Sequence, residues 1–164
     1  MNDSEIREKL SKIGLFASLK DDKQLMDRLV AICGRRSYPA GKVVIKEGDL
    51  GNEMFVALTG AVEIQKETRA GDSYTVVQLR AEYNVFFGEI ALIDDDKRSA
   101  TVMTTEDSDF LVVTKEAFLE LGNKHPQIGL PITREIAKIL ASRLRKTTGD
   151  MLTIFDALVN EIRA

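Results

Sequence analysis

The chain has one cysteine (Cys33), one histidine (His125), no tryptophan and three prolines among 164 residues. A single cysteine excludes an internal disulfide, a zinc ribbon and a cysteine-ligated iron–sulfur cluster. A single histidine excludes any metal centre that needs two or three imidazoles, and two-histidine proton relays with it. Long hydrophobic runs are missing too. The longest, residues 29–33 and 54–58, fall far short of the ~20 residues that a membrane-spanning helix needs. Met1-Asn2-Asp3-Ser4-Glu5-Ile6 has neither the basic nor the apolar stretch of a secretory signal, so the expectation is a cytoplasmic protein. Charge of one sign is scarce: Lys+Arg 23 against Asp+Glu 26 leaves a formal net charge of −3. That is too weak a field to gather nucleic acid. Neither nucleic acid nor membrane is expected as a partner of this chain alone.

What remains is the composition of a folding domain, with 44% hydrophobic and 30% charged residues. One domain over residues 1–164 is expected. Residues 1–36 read as N-terminal helices, from Ile6, Leu10 and Ile13 and then Leu25, Leu29, Val30 and Cys33 at helical spacing. Tyr38-Pro39-Ala40-Gly41 ends that pattern. Residues 37–114 change texture to short strand-like runs at 43–45, 54–58, 61–64, 74–79, 100–102 and 110–113, divided by glycine and acidic turns such as Ala70-Gly71-Asp72. Many short strands with close turns predict an antiparallel sandwich or barrel. Residues 115–164 return to a helical stripe that includes Ile136, Ile139, Leu140, Leu144, Met151, Phe155, Leu158 and Ile162. Gly149-Asp150 is expected to divide that stripe into two helices. The expected fold is α+β and mainly β: an antiparallel jelly-roll barrel flanked by N-terminal helices and a long C-terminal helix.

The segment with chemical content is residues 87–102. Gly88 lets main chain approach a ligand without a Cβ in the way. Residues 89–92 suit one helical turn whose free N–H groups face an anion. Arg98 suits a phosphate, which a guanidinium grips with two donors, and Glu89 suits sugar hydroxyls while balancing that charge. Together they describe a pocket for a small sugar phosphate. The remaining reactive groups have plainer readings. Cys33 reads as helix packing, His125-Pro126 as a helix boundary, Arg35-Arg36 as solvated, and Met151 with Phe155 as a packing face.

Phe87-Gly88-Glu89-Ile90-Ala91-Leu92, followed by Arg98-Ser99-Ala100-Thr101-Val102, resembles the phosphate-binding cassette of cyclic nucleotide-binding domains. Gly41, Glu47-Gly48-Asp49, Gly51, Met54-Phe55-Val56 and Gly60 are similar to the family's early hairpins, and the resemblance spans about residues 13–148. The resemblance implies that Glu89 holds the ribose 2′-hydroxyl and that Arg98 pairs with the cyclic phosphate. It also implies that main-chain N–H groups around Ile90-Ala91 and Ser99-Ala100 complete the cradle, and that Ile64 and Val76 touch the base. Thr147 and Thr148 match helix residues that reach an adenine amino group, with Arg143 a further candidate on the same segment. In three places the chain departs from the family, one of them the stretch from Leu79 to Gly88, which looks two residues longer. Asn84 stands where the family has glycine, a change that asparagine's tolerance of the left-handed region accommodates. The loop Asp94-Asp95-Asp96 is unusually acidic beside a phosphate site.

The resemblance implies a bacterial, non-enzymatic regulatory module with no cofactor and no metal. Its ligand would be cyclic AMP, with cyclic GMP second, and its output a movement of the C-terminal helix read by an effector protein. A homodimer through that helix is expected. Two alternatives are the ligand-binding part of an activator-type transcription regulator and a degenerate fold that serves protein interaction. An enzyme on a similar β-roll would need clustered histidines, and one histidine argues against it.

Overall fold

The computed structural model describes residues 1–68 and 71–163; Ala70, in the turn expected at 70–72, lies outside them. Two short helices come first, α1 (Asp3–Ser11) and α2 (Lys23–Ala31), joined by a tight 3-10 segment, Gly14–Leu19. Each helix starts on a side-chain cap: Asn2 accepts from the Glu5 N–H and Asp22 from the Leu25 N–H, both at 3.0 Å. The chain then enters β1 (Gly34–Tyr38), so the N-terminal helices end at Ala31 and do not reach residue 36. Cys33 falls just past the end of α2. Its thiol donates to Leu29 O, and burial pushes its pKa up to about 12.

Seven more strands follow: β2 (Val43–Ile45), β3 (Glu53–Thr59), β4 (Ala61–Glu67), β5 (Ser73–Arg80), β6 (Phe86–Phe87), β7 (Thr101–Thr104) and β8 (Ser108–Thr114). All pairings are antiparallel, and they form two four-stranded sheets ordered β1-β8-β3-β6 and β2-β7-β4-β5. The mainly-β jelly-roll class is therefore as expected, but the sheets face each other as a sandwich rather than closing into a barrel. The reason lies in the edges: among the described residues β5 pairs only with β4, and β6 only with β3.

The apolar run at residues 54–58 becomes the middle wall of the molecule. Met54 and Val56 face a core made with α1, α2, Ile128, Ile132 and Ile136. Phe55 and Ala57 face a second core between the sheets, with Ile45, Val62, Phe87, Val102 and Phe110. Within that second core Phe55 stacks on Phe87 at 5.3 Å, and Phe110 meets both rings edge-on.

The C-terminal region forms α3 (Lys115–Lys124) and α4 (Pro126–Arg163), with His125 at the joint as expected. α4 runs for 38 residues without a break, roughly 57 Å at 1.5 Å per residue. The division expected at Gly149-Asp150 does not occur. A glycine inside a helix costs only ~1 kcal/mol relative to alanine, which is not enough to end one. Pro131 likewise removes a single backbone bond, while its neighbours Ile128, Ile132 and Ile136 are fully buried. From Ala141 onward α4 is exposed except at Val159. Met151 and Phe155 are therefore mostly exposed and join no core among the described residues. No helix among the described residues is long and apolar enough to cross a membrane.

Helices α3 and α4 touch main chain to main chain at Gly122 and Gly129. A Cβ on Gly129 would stand 2.6 Å from Gly122 Cα. Gly129→Ala is therefore expected to destabilise the domain by ~1–3 kcal/mol. Gly149→Ala, which meets open space, should add helix stability of up to ~1 kcal/mol. Urea unfolding of both variants checks the opposite signs.

Candidate functional site

The candidate site is assembled where the loop after β2 meets the loop before β7. Gly48 N–H donates to Arg98 O (2.9 Å), Arg98 N–H donates to Asp49 O (2.8 Å), and Leu50 bridges Lys97. The loops thus form a short ladder beside the sandwich. Lys97 is exposed and Arg98 half-buried, as alternation along an extended segment requires.

Phe87 anchors the other side. Its ring is held by Phe55, and the chain then turns at Gly88, φ +76°. Only glycine fits there. A Cβ would meet Glu53 O at 2.9 Å and Arg98 Nη1 at 3.0 Å. The turn leads into a 3-10 segment, Glu89–Leu92, the short helical turn expected at these residues. Within it the Ala91 N–H is used for a bond to Gly88 O (3.2 Å). Upstream, Asn84 adopts φ 53° and ψ 48°, so asparagine does hold the left-handed turn.

Arg98 is positioned by main chain. Its Nη2 donates to Glu53 O at 2.7 Å and its Nη1 to Gly88 O at 3.4 Å. Gly51 lies flat against the guanidinium, since a Cβ there would come within 2.7 Å of Arg98 Cζ. Burial lowers the Arg98 pKa, and the charges of Glu53 and Glu89 oppose that shift. Glu89 thus balances the charge of Arg98 as expected, but no salt bridge joins the two side chains among the described residues. Glu89 instead pairs with Arg143 of α4, Oε1 to Nη1 at 2.8 Å. Glu89 Oε1 is thus a buried oxygen with the Arg143 cation beside it and no other polar partner among the described residues. Burying a carboxylate this way is costly.

The other expected residues are more dispersed. Ser99 is exposed and Ala100 half-buried, in the loop leading to β7. Ile64 sits half-buried on the inner face, opposite Val102 on one side and Val77 on the other. Val76 is the extra residue of a bulge there, 54% exposed, which makes Val77 an inner-face neighbour that the sequence did not single out. Thr147 and Thr148 stand on the exposed part of α4, and the Thr148 hydroxyl back-bonds to Leu144 O (2.9 Å). The missed contributors are Glu53, acting through its carbonyl, together with Gly51, Asn52, Arg36 and Lys115. Arg36, expected to be solvated, grips the Glu53 carboxylate with two donors at 2.7 and 2.8 Å.

Among the described residues no group of three or more His, Cys, Asp or Glu side chains is placed to hold a metal ion. Two open cavities, about 350 and 200 Å³, are lined by Lys9, Gly60 and Arg80 and by Met1, Arg35 and Asp109 respectively; neither touches the cassette.

Comparison with known proteins agrees with this geometry. A family profile described as cyclic nucleotide-binding domain matches residues 35–125. A cyclic AMP receptor protein of Thermus thermophilus is 31% identical over 132 residues, which is 80% of this chain and 57% of that protein. A cGMP-dependent protein kinase 2 of Mus musculus is 31% identical over 71% of this chain but only 15% of its own length. Among solved structures, a cyclic nucleotide-binding domain from Methylobacillus flagellatus superposes with a TM-score of 0.75 at 25% identity, covering 92% of this chain and 82% of that one. The chain thus spans little more than half of the receptor protein and a small part of the kinase.

Glu89→Gln removes the buried charge but keeps the shape. Without ligand it is expected to raise stability by about 1 kcal/mol, or a few degrees in Tm for a chain of this size. A fall in Tm would mean that attraction to Arg143 outweighs the burial cost.

Proposed function

The chain belongs to the cyclic nucleotide-binding domain family, and from that membership we propose that it is a regulatory module whose ligand is a cyclic nucleotide, cyclic AMP first. The observation that carries this reading is that the two charged side chains of the cassette do not pair with each other. Arg98 rests on the carbonyls of Glu53 and Gly88, and Glu89 Oε1 is buried beside Arg143. A ribose with a cyclic phosphate offers what each lacks: an anion for the guanidinium and a hydroxyl donor for the carboxylate. No reaction is needed, and no nucleophile and base pair is present in the cassette. The likeness to a cyclic AMP receptor protein supports cyclic AMP. The likeness to a cGMP-dependent kinase keeps cyclic GMP as the second ligand to titrate.

Coupling runs through Arg143. Ribose binding at Glu89 competes for the carboxylate that now holds Arg143, so ligand and helix position become linked through one group. Thr147 is one helical turn beyond Arg143 and shares its face, so it is the better placed of the two threonines to meet a base. Thr148 belongs to a different stripe. With Leu144, Met151, Phe155, Leu158 and Ile162 it recurs in alternating four- and three-residue steps, the spacing of a coiled-coil seam. All five apolar members are more than half exposed. We assign this seam to a second copy of the chain, making the module a homodimer; the effector that reads the helix is a separate protein.

Calorimetric titration tests the ligand reading. Arg98→Leu should weaken cyclic AMP binding by roughly 30-fold to several thousand-fold, the range for removing one partner of a buried charge pair. Unchanged affinity would remove the cassette assignment. The helix seam is checked by sedimentation: Phe155→Glu should convert dimer to monomer, while a wild-type chain that sediments as a monomer rules the seam out.

A further inference from the structure

The acidic loop beside Arg98 poses an electrostatic problem that the first turn of α3 answers. Asp94, Asp95 and Asp96 precede Lys97 and Arg98 directly, and an incoming phosphate meets that negative charge as well as the guanidinium. Two of the three aspartates turn back on the loop itself: Asp94 Oδ1 accepts from the Asp95 N–H (2.9 Å), and Asp96 Oδ1 from the Lys97 N–H (2.7 Å). Asp95 is different. Its carboxylate accepts from Lys115 Nζ at 2.6 Å, and the same ammonium donates to Asp94 O at 3.1 Å. Lys115 is only 14% exposed, whereas Asp95 is 94% exposed. The lysine is therefore the fixed partner, and the loop is drawn to it.

The neighbouring loop is held by the same turn. Lys115 N–H donates to Asn52 O (2.7 Å), and the Asn52 amide donates to both carboxylate oxygens of Glu116 (2.9 and 3.1 Å). Asn52 lies between Gly51, which packs on Arg98, and Glu53, whose carbonyl holds it. Lys115 therefore touches both loops that set the place of Arg98, one through its main chain and one through its ammonium.

We infer that Lys115 is a positioning residue for the phosphate cassette: it braces the two Arg98 loops on α3 and offsets the charge of Asp95 so that an anionic ligand is tolerated beside three aspartates. The ligand half of this statement rests on the proposed cyclic nucleotide reading. The brace itself stands without it.

Lys115→Gln, Asp95→Asn, the double variant and Lys115→Arg separate the two halves. By titration with cyclic AMP, Lys115→Gln is expected to weaken binding about twofold to fivefold, the size of an ion pair whose carboxylate stays in water. The double variant should return to wild-type affinity, and Lys115→Arg should stay near it. A double variant as weak as Lys115→Gln, or a Lys115→Gln with wild-type affinity, overturns the electrostatic role. Hydrogen exchange of the ligand-free proteins reads the brace. Lys115→Gln should speed exchange in residues 46–52 and 93–98 but not in β3, and unchanged exchange there overturns it. A wild-type chain that binds no cyclic nucleotide removes the ligand reading, and with it the electrostatic role, while the exchange data still decide the brace.

Discussion

Burial of β3 on both faces is the constraint on which the rest of the structure depends. Most strands of a two-sheet sandwich have one dry face, but Met54 to Ala57 are all buried, alternately against helices and against the opposite sheet. Two cores therefore share one wall, and neither can shift without the other. The start of that wall is also where the site is fixed. Glu53, its first residue, holds Arg98 through its carbonyl and Arg36 through its carboxylate. The strand buried on both faces thus supplies the reference point for the site.

Charge placement follows from that arrangement. Arg98 and Glu89 both sit on the cassette, yet no salt bridge joins them among the described residues. Main-chain carbonyls receive the guanidinium, and a side chain from another element approaches the carboxylate. Each is held in a geometry less favourable than a direct bidentate pair would allow. A stable loop would be built more simply with an Arg–Glu pair or with apolar residues. Keeping the charges apart makes sense when both are to meet one ligand at two different groups, which is the physical case for the proposed binding role.

Much of this was legible in the sequence, and what was not has identifiable causes. The apolar run at 54–58 announced a buried strand, Gly88 announced a tight approach, and Asn84 kept the left-handed turn it was expected to keep. β1 was missed because Gly34-Arg35-Arg36-Ser37-Tyr38 has no apolar alternation; pairing with β8 creates that strand. The unbroken α4 was missed because Gly149-Asp150 was taken as a stop, whereas one helical glycine costs too little to end a long helix. At the site, the residue types were readable but the partners were not. Glu53 acts through main chain, which no side-chain pattern reveals. Arg143 is more than 50 residues from Glu89 in the chain, so only the fold could bring them together.

α4 is two helices in energetic terms. Its first half is fastened by three isoleucines without exposed surface and by the Gly122–Gly129 contact. Its second half is exposed, and the contact with Glu89 is made near the start of that half, by Arg143. Arg143 is more than half exposed, so water competes for it and offsets the attraction to Glu89, and the pair holds the outer half by only on the order of 1 kcal/mol. A switch built on a strong contact would need a ligand with a very large preference for one state, whereas a gap of this size yields to a preference of about tenfold. The weakness of the Arg143–Glu89 contact is therefore what suits it to a reversible regulatory role. In the proposed coupling, the anchored first half leaves the exposed outer half of the helix as the part that responds to ligand.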